Sequence, residues 1–464
     1  MSFQMFFTFL FLSLISFCFG ELKIYYPISL IEEFSSSTIK YSLANFGHIP
    51  YGRTLIGPLK LSDPIDACSP IRLNVTKDEN ESPFLLIKRG NCTFVTKVKY
   101  AQLFGAKIAV IMDDRDEFSE DITMTDDGYS YTLRIPSIFI TQKDGNQLTS
   151  FLTSPDPSRN DIVLTLTFDM LQLSDIEYSF WLSTSNRNSF LLVREYEKFY
   201  RQISDRSKFV PHYNIWTCDV CARNNYTTET PDNCISGGRY CCIDPDGRGP
   251  ATGAQVVLED LRQICIHRTH PDLWWNYMMK FDSECIEIQV VEDCSLKLMK
   301  ELNIYSVKVN DCFQGSFIKK NKELDYTTDD NVILGNETKA IRMMGIQFWP
   351  TVTINNISYR GNIEGRNVFE AVCATFPQDK IPENCYEVLG IQKNEHSEGL
   401  NVSLILILVI SCLVVFFLFL VLVYRKWVRS QLTNEMSTQV NQMVTQYIAF
   451  YENREKKIKG SEHL

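Results

Sequence analysis

Residues 402–423 form a run of 22 positions without a charge, nearly all apolar, close to the end of a 464-residue sequence. As a helix rising about 1.5 Å per residue, this run covers a hydrocarbon core of about 30 Å. Core helices of soluble domains seldom carry so many consecutive apolar residues, so the run is expected to span a membrane. Tyr424, Arg425, Lys426, Trp427 and Arg429 follow it directly, while Glu395 and Glu398 precede it. Basic flanks stay on the cytosolic side, which assigns residues before 402 to a lumen and 424–464 to a cytosolic tail.

The other end agrees with that topology. The apolar run Phe6 to Phe19, with Cys18 and Gly20 at the small positions ahead of Glu21, reads as a signal peptide over 1–20, although no Lys or Arg precedes the run. Between signal and membrane lie residues 21–400, enough for two or three folded units at ~100–200 residues each. A formal charge of −10, with no basic stripe and no zinc-knuckle spacing, argues against nucleic acid as a partner.

Fifteen cysteines are present; setting aside Cys18 in the signal and Cys412 in the membrane run leaves thirteen in the lumenal part. In an oxidising compartment the default is a disulfide framework, and odd parity leaves at least one thiol unpaired. The disulfide candidates are Cys68, Cys92, Cys218, Cys221, Cys234, Cys241, Cys265, Cys285, Cys294, Cys312, Cys373 and Cys385, and Cys242 is the thirteenth lumenal cysteine. Sequons at Asn74, Asn80, Asn225, Asn336 and Asn356 suit a lumenal location.

Cysteine density changes near residue 185: only Cys68 and Cys92 precede it, and the other eleven follow between Cys218 and Cys385. In the first region, Phe84 to Ile87 reads as a strand and Lys88 to Asn91 as a polar turn. Phe94, Val98, Ala101 and Gly105 recur at helical spacing, and Ile108 to Met112 reads as a second strand. That order implies a parallel pair with a crossover, to which Ile135–Ile140 and Ile162–Phe168 add strands. In the second region, Phe209–Trp216 reads as a strand leading into Cys218-Asp219-Val220-Cys221. Trp349-Pro350-Thr351 opens a later strand with a turn at Asn355-Asn356.

The string "RGNCTFVTKVKYAQLFGAKIAVIMDD" resembles the core of a protease-associated domain. "ANFGHIPYGRTLIGPL", "ITMTDDG" and "RIPSIFIT" are similar to the version found in plant-type vacuolar sorting receptors. "FVPHYNIWTC", "CISGGRYC", "VVLEDLRQIC", "LWWNYMMKF" and "WPTVTINNISYRGNIEGRNVFEAVCATF" follow in the order shown by the central region of that family. The resemblance covers roughly residues 22–385. The epidermal growth factor repeats that such receptors carry before the membrane are missing, since Cys385 is the last lumenal cysteine. The fold class implied is α/β: a protease-associated mixed-sheet domain over 21–184 and a disulfide-rich thioredoxin-like domain over 185–386. A linker over 387–401, one membrane helix over 402–423 and the tail complete the chain.

The resemblance implies a type I cargo receptor that sorts soluble hydrolases from the Golgi to a vacuole or lysosome-like compartment, through endosomal or prevacuolar membranes. It implies no catalysis, cofactor or metal. The Arg89-Gly90-Asn91 turn is the expected cargo contact, with the guanidinium and backbone amides available to a peptide carboxylate or backbone; as composition alone, the turn merely connects elements. In the tail, Tyr447-Ile448-Ala449-Phe450 fits the pattern that clathrin adaptors bind as an added strand. Against it, Leu432, Met436, Val440, Met443, Val444, Tyr447 and Ile448 recur at helical spacing.

A rival reading is a lumenal thiol oxidoreductase, with Cys218 as nucleophile, Cys221 as resolving thiol and a cis Pro350 facing them across the site. The family has a cysteine matching Cys218 but none matching Cys221, and this chain lacks a family cysteine shortly before Cys234, so Cys221 can replace that partner. The family motif accounts for Cys241 and leaves Cys242 as the expected free thiol. Cys68 with Cys92, and Cys373 with Cys385, are the first pairs expected.

Overall fold

The computed structural model describes residues 20–34, 36–73, 82–116, 122–156, 161–226, 231–244, 251–285, 291–391 and 402–459. The signal segment apart from Gly20, Asn74, Asn80 and most of the expected linker lie outside these. Residues up to 391 form one compact unit and those after it a second.

The first domain is built on strands β1 (Leu22–Tyr26), β2 (Thr38–Ile39), β3 (Tyr41–Leu43), β4 (Thr54–Leu61), β5 (Phe84–Lys88), β6 (Ile108–Met112), β7 (Ser137–Ile140) and β8 (Ile162–Thr167), with helices α1 (Ile28–Phe34), α2 (Phe94–Phe104) and α3 (Gln142–Leu152). Spatial order is β2-β1-β8-β4-β5-β6-β7-β3. Strands β4 to β7 run parallel, and β8, β1 and β3 pair antiparallel at the flanks.

The apolar runs in β5 and β6 follow from this placement, because a central parallel strand is covered on both faces. Leu85, Ile87, Ala109 and Ile111 pack on one side with Val95, Val98 and Ala101 of α2. Phe84, Leu86, Ile108 and Val110 pack on the other with Leu148 and Phe151 of α3. Thr93 caps α2, its hydroxyl accepting from the Thr96 N–H, and Gly105 closes the helix in the left-handed region.

The second domain contains β9 (Ile176–Leu182), α4 (Arg187–Ile203), β10 (Ser207–Tyr213), α5 (Asp219–Arg223), β11 (Cys234–Ile235), β12 (Tyr240–Cys241), α6 (Gly253–Thr269), α7 (Pro271–Glu284), α8 (Val291–Glu301), α9 (Ser306–Gly315), β13 (Phe317–Ile318), β14 (Asp330–Asn331), α10 (Val332–Met344), β15 (Thr351–Ile354), β16 (Ile357–Ser358), α11 (Gly365–Cys373) and α12 (Cys385–Leu389). Its main sheet has the order β10-β9-β15-β16, with β9 and β10 parallel and β15 antiparallel to β9. The boundary expected after residue 184 therefore falls earlier. Ile176–Leu182 is a central strand of the second sheet, and cysteine density could not mark it because the strand holds no cysteine.

Side chains alternate along β9, and the two faces do different work. Tyr178 and Phe180 enter an aromatic cluster with Tyr196, Phe209 and Trp275, in which Phe180 and Phe209 lie 5.0 Å apart and Phe209 and Trp275 4.7 Å. On the opposite face Trp181 stacks on His212 at 4.2 Å, and its indole N–H donates to the Thr353 hydroxyl at 3.0 Å.

Disulfides tie the helical layer and loops: Cys218–Cys221, Cys234–Cys241, Cys265–Cys312, Cys285–Cys294 and Cys373–Cys385, with Cys68–Cys92 in the first domain. Cys242 is free and buried.

The two domains share core and backbone bonds. Ile49 and Tyr51 belong to the same buried cluster as Tyr359, Ala374 and Leu389. Asn362 is the main pin: its side-chain oxygen accepts from Gly47 N–H at 2.8 Å, its own N–H donates to Gly47 O at 2.8 Å, and its amide donates to Leu133 O at 3.2 Å. Arg134 adds an ion pair to Glu364.

The second unit is a helix, α13 (Val402–Lys459), whose segment Leu406–Arg429 is long and apolar enough to cross a membrane. Tyr447 and Phe450 fall within its helical backbone.

Candidate functional site: a braced turn and a strand–helix junction

At the end of β5, Arg89 extends the pairing by donating its N–H to Met112 O at 2.9 Å. The chain then reverses through Gly90 (φ +107°) and Asn91 (φ +66°), a left-handed pair that glycine and asparagine tolerate best. Cys92, bonded to Cys68, leads into the Thr93 cap of α2. Lys97 braces the turn from below: fully buried, its ammonium donates to Gly90 O and to Asp66 O, each at 2.6 Å. Burial pushes the Lys97 pKa down, against the pull of Asp66 and Asp114. The Asn91 amide holds the Asp66 carboxylate at 2.8 Å, which keeps that carboxyl below its ordinary value.

The Arg89 guanidinium is engaged inside the domain. Its Nη1 donates to the buried Asp113 at 2.9 Å, its Nε lies 3.6 Å from Asp114, and the Phe94 and Phe139 rings flank it at 5.9 and 5.8 Å. This corrects the expectation of a guanidinium available to a cargo carboxylate. A loop arginine facing two aspartates at the end of the neighbouring strand, "IMDD", pairs with them once β5 and β6 are adjacent. Asn91 is the exposed member of the turn. Lys97 was not singled out from sequence, although its spacing from Phe94 and Ala101 places it on the inward face of α2.

In the second domain the corresponding place of interest is the junction between β9 and α4. Asn186 caps α4, its side-chain oxygen accepting from Asn188 N–H at 2.9 Å. Its amide donates to Trp349 O at 3.0 Å, across to the cis Trp349–Pro350 peptide that opens β15. Beneath it lies a buried polar cluster. The Thr184 hydroxyl and N–H both donate to Asp260 on α6, and the Ser183 hydroxyl lies 3.8 Å from the Cys242 thiol. Burial holds the Asp260 carboxyl well above the ordinary carboxylate range, against the pull of the Thr184 hydrogen bonds. Burial, with Asp260 nearby, pushes the Cys242 thiol up to about 12. The Cys242 thiol is therefore protonated near pH 7, and Asp260 is held by Thr184, so this cluster supports the junction rather than reacting. Spacing alone offered no signal for Thr184 and Asp260, which are 76 residues apart.

This arrangement corrects the placement of Cys218 and Cys221 opposite Pro350. The helix start that meets Trp349 and Pro350 follows the central strand β9 and carries Ser183-Thr184-Ser185-Asn186. The cysteine pair instead follows β10 at the sheet edge, where Cys218 caps the short α5 by accepting from Cys221 N–H at 3.0 Å. Gly238 sits tightly over Cys221; a Cβ there would come within 2.5 Å of the Cys221 sulfur. Among the remaining candidates, Asn225, Asn336 and Asn356 are all exposed, with Asn336 on α10 and Asn356 in the β15–β16 turn.

Fold and sites together define a protease-associated domain joined to a thioredoxin-like domain that lacks cysteines at its strand–helix junction, with one apolar helix capable of crossing a membrane. Residues 176–373 match the vacuolar sorting receptor thioredoxin-like domain, and residues 55–148 match the PA domain. The chain is a relative of the vacuolar-sorting receptors. It is 30% identical over 391 residues to vacuolar-sorting receptor 7 of Arabidopsis thaliana, covering 77% of this chain and 60% of that one. It is 27% identical over 419 residues to vacuolar-sorting receptor 4 of the same plant, covering 81% and 64%. The chain thus spans less than two thirds of the length of these relatives. Among solved structures, oxidised BdbD from Bacillus subtilis aligns with a TM-score of 0.27 and 10% identity over 44% of this chain and 89% of that one.

Proposed function

We propose that the chain is a single-pass cargo receptor that carries soluble proteins, hydrolases among them, from the Golgi to a vacuole or lysosome-like compartment. The lumenal domains bind cargo, with the exposed edge of the Arg89-Gly90-Asn91 turn as one contact and the Arg89–Asp113 pair holding that turn in shape. The tail recruits clathrin adaptors through Tyr447 and Phe450. Because that segment lies in α13, binding as an added strand requires it to leave the helix.

The observation that carries this reading is the β9–α4 junction. A thioredoxin-like frame with Asn186 against Trp349, and a buried Asp260 held by Thr184 and a protonated Cys242 thiol beneath, supports a binding body better than a redox catalyst. Crosslinking in cells, followed by mass spectrometry of what the lumenal part holds, tests the proposal. Enrichment of soluble vacuolar or lysosomal hydrolases is expected; recovery of membrane proteins and folding factors alone removes it.

A further inference from the structure

A cleft of about 430 Å³ opens between the two domains, within the ~300–1,000 Å³ range usual for ligand sites. Asn45, Thr123 and Thr125 of the first domain line it, and Phe348, Ser358 and Arg360 of the second face them. It shares no residue with the Arg89 turn.

Arg360 is fixed by its backbone. Its N–H donates to the Tyr51 hydroxyl at 3.0 Å, and that hydroxyl donates to its carbonyl at 3.1 Å. Its guanidinium has no acid: among the described residues no carboxylate pairs with it, whereas Arg53, Arg89, Arg134 and Arg262 each meet one. Partial burial pushes its pKa down, with Tyr51 acting against that. Arginine stays charged even so, and half-desolvated donors that meet no acceptor among the described residues are costly until one arrives.

The sheet edge supplies a second observation. Tyr359 N–H bonds to Val352 O at 2.8 Å, so Ser358, one residue earlier, turns its N–H and C=O away from β15. It does so at β16, the end strand of the sheet. Further along, the first domain takes this edge itself, through Gly361 N–H to Ala44 O and Asn362 N–H to Gly47 O.

We propose that this cleft binds an extended peptide segment bearing a carboxylate, with the carboxylate on Arg360 and the peptide backbone on the outward edge at Ser358. A guanidinium matches a carboxylate with two parallel hydrogen bonds, and a strand edge adds main-chain bonds. One cation among amide and hydroxyl neighbours suits the single charge of a carboxylate better than the double charge of a phosphate. The carboxylate is a chain terminus or an Asp or Glu side chain. The site goes beyond the sorting role and does not depend on which protein is carried.

The test uses the full-length protein in detergent micelles and fluorescein-labelled serine- and valine-rich hexapeptides in three forms: free C-terminal acid, C-terminal amide, and amide with an internal glutamate. Fluorescence anisotropy should show at least one carboxylate form binding roughly tenfold or more tighter than the plain amide; which one does so identifies the source. Arg360→Gln should remove the preference, and Arg360→Lys should keep part of it, since the charge stays while the paired geometry is lost. On the unmodified protein, a photo-crosslinker beside the carboxylate should attach to cleft residues such as Phe348 or Thr125. Equal binding of acid and amide, a preference that survives Arg360→Gln in a folded variant, or attachment outside the cleft overturns the proposal.

Discussion

The side-chain amide of Asn186 donates to the backbone carbonyl of Trp349 at 3.0 Å, tying the first turn of α4 to the segment that opens β15. In a thioredoxin-like sheet this is where the central strand hands over to its helix and meets the proline-bearing loop. Here an asparagine holds that meeting point, with the free Cys242 buried beneath it, and the disulfide-bonded cysteines of the domain lie elsewhere.

Disulfide chemistry is therefore expected to be absent from the junction. Purified full-length protein should reduce or oxidise model disulfides no faster than background. Replacing both Cys218 and Cys221 by serine should leave that rate unchanged, while costing no more than about 3 kcal/mol because the loop they close is so short. A rate that depends on Cys218 would restore the oxidoreductase reading.

Arg89→Ala should destabilise the first domain by roughly 2–4 kcal/mol, because it leaves the buried Asp113 carboxylate without its partner. Adding Asp113→Asn should return part of that loss. Cargo binding should fall in the single variant and stay low in the double one, since the turn loses its brace in both. Urea unfolding alongside a cargo pull-down separates the two effects; full cargo binding by the single variant excludes the turn as a contact.

Glu370 lies buried where the domains meet, 3.6 Å from His48 and 3.7 Å from Arg53. Burial raises its carboxyl from 4.5 to about 7, opposed by Arg53 and Arg366. Between those values the folded chain keeps a proton that the unfolded chain has released, so this contribution is full below 4.5 and is lost as the pH rises through about 7. Glu370→Gln should flatten that slope and stabilise the protein by roughly 1–3 kcal/mol at about pH 8. His48, lowered by burial, works in the opposite sense, its contribution falling as the pH drops below 6.5. Denaturation curves across this range decide the matter; parallel pH profiles for the parent and Glu370→Gln would sink the assignment.

On the proposed function, Tyr447→Ala should leave cargo binding intact and shift the protein to the cell surface. Alanine favours helix, so the backbone of α13 gives no competing reason for such a shift. Surface biotinylation measures it, and an unchanged distribution removes the adaptor role from this tyrosine.

The strands β5 and β6 and the intervening helix α2 were legible because period and apolar content report how each segment meets its immediate surroundings. The uncharged run at 402–423 was legible for the same reason, since length and hydropathy suffice to recognise a possible span. Pairing was not legible in this way. That Arg89 spends its charge on Asp113 depends on β5 lying beside β6, and that Pro350 meets Asn186 rather than Cys218 depends on β9 being central. The same holds for the contact between domains, where Gly47 and Asn362 meet across 315 positions of chain. The sequence by itself determined the kinds of element and the apolar run, both written in local spacing, and its ordered motifs carried the resemblance that implied the domain types. Only the tertiary structure decided which junction faces which, because strand order and long-range hydrogen bonds are set by the packing of the whole core.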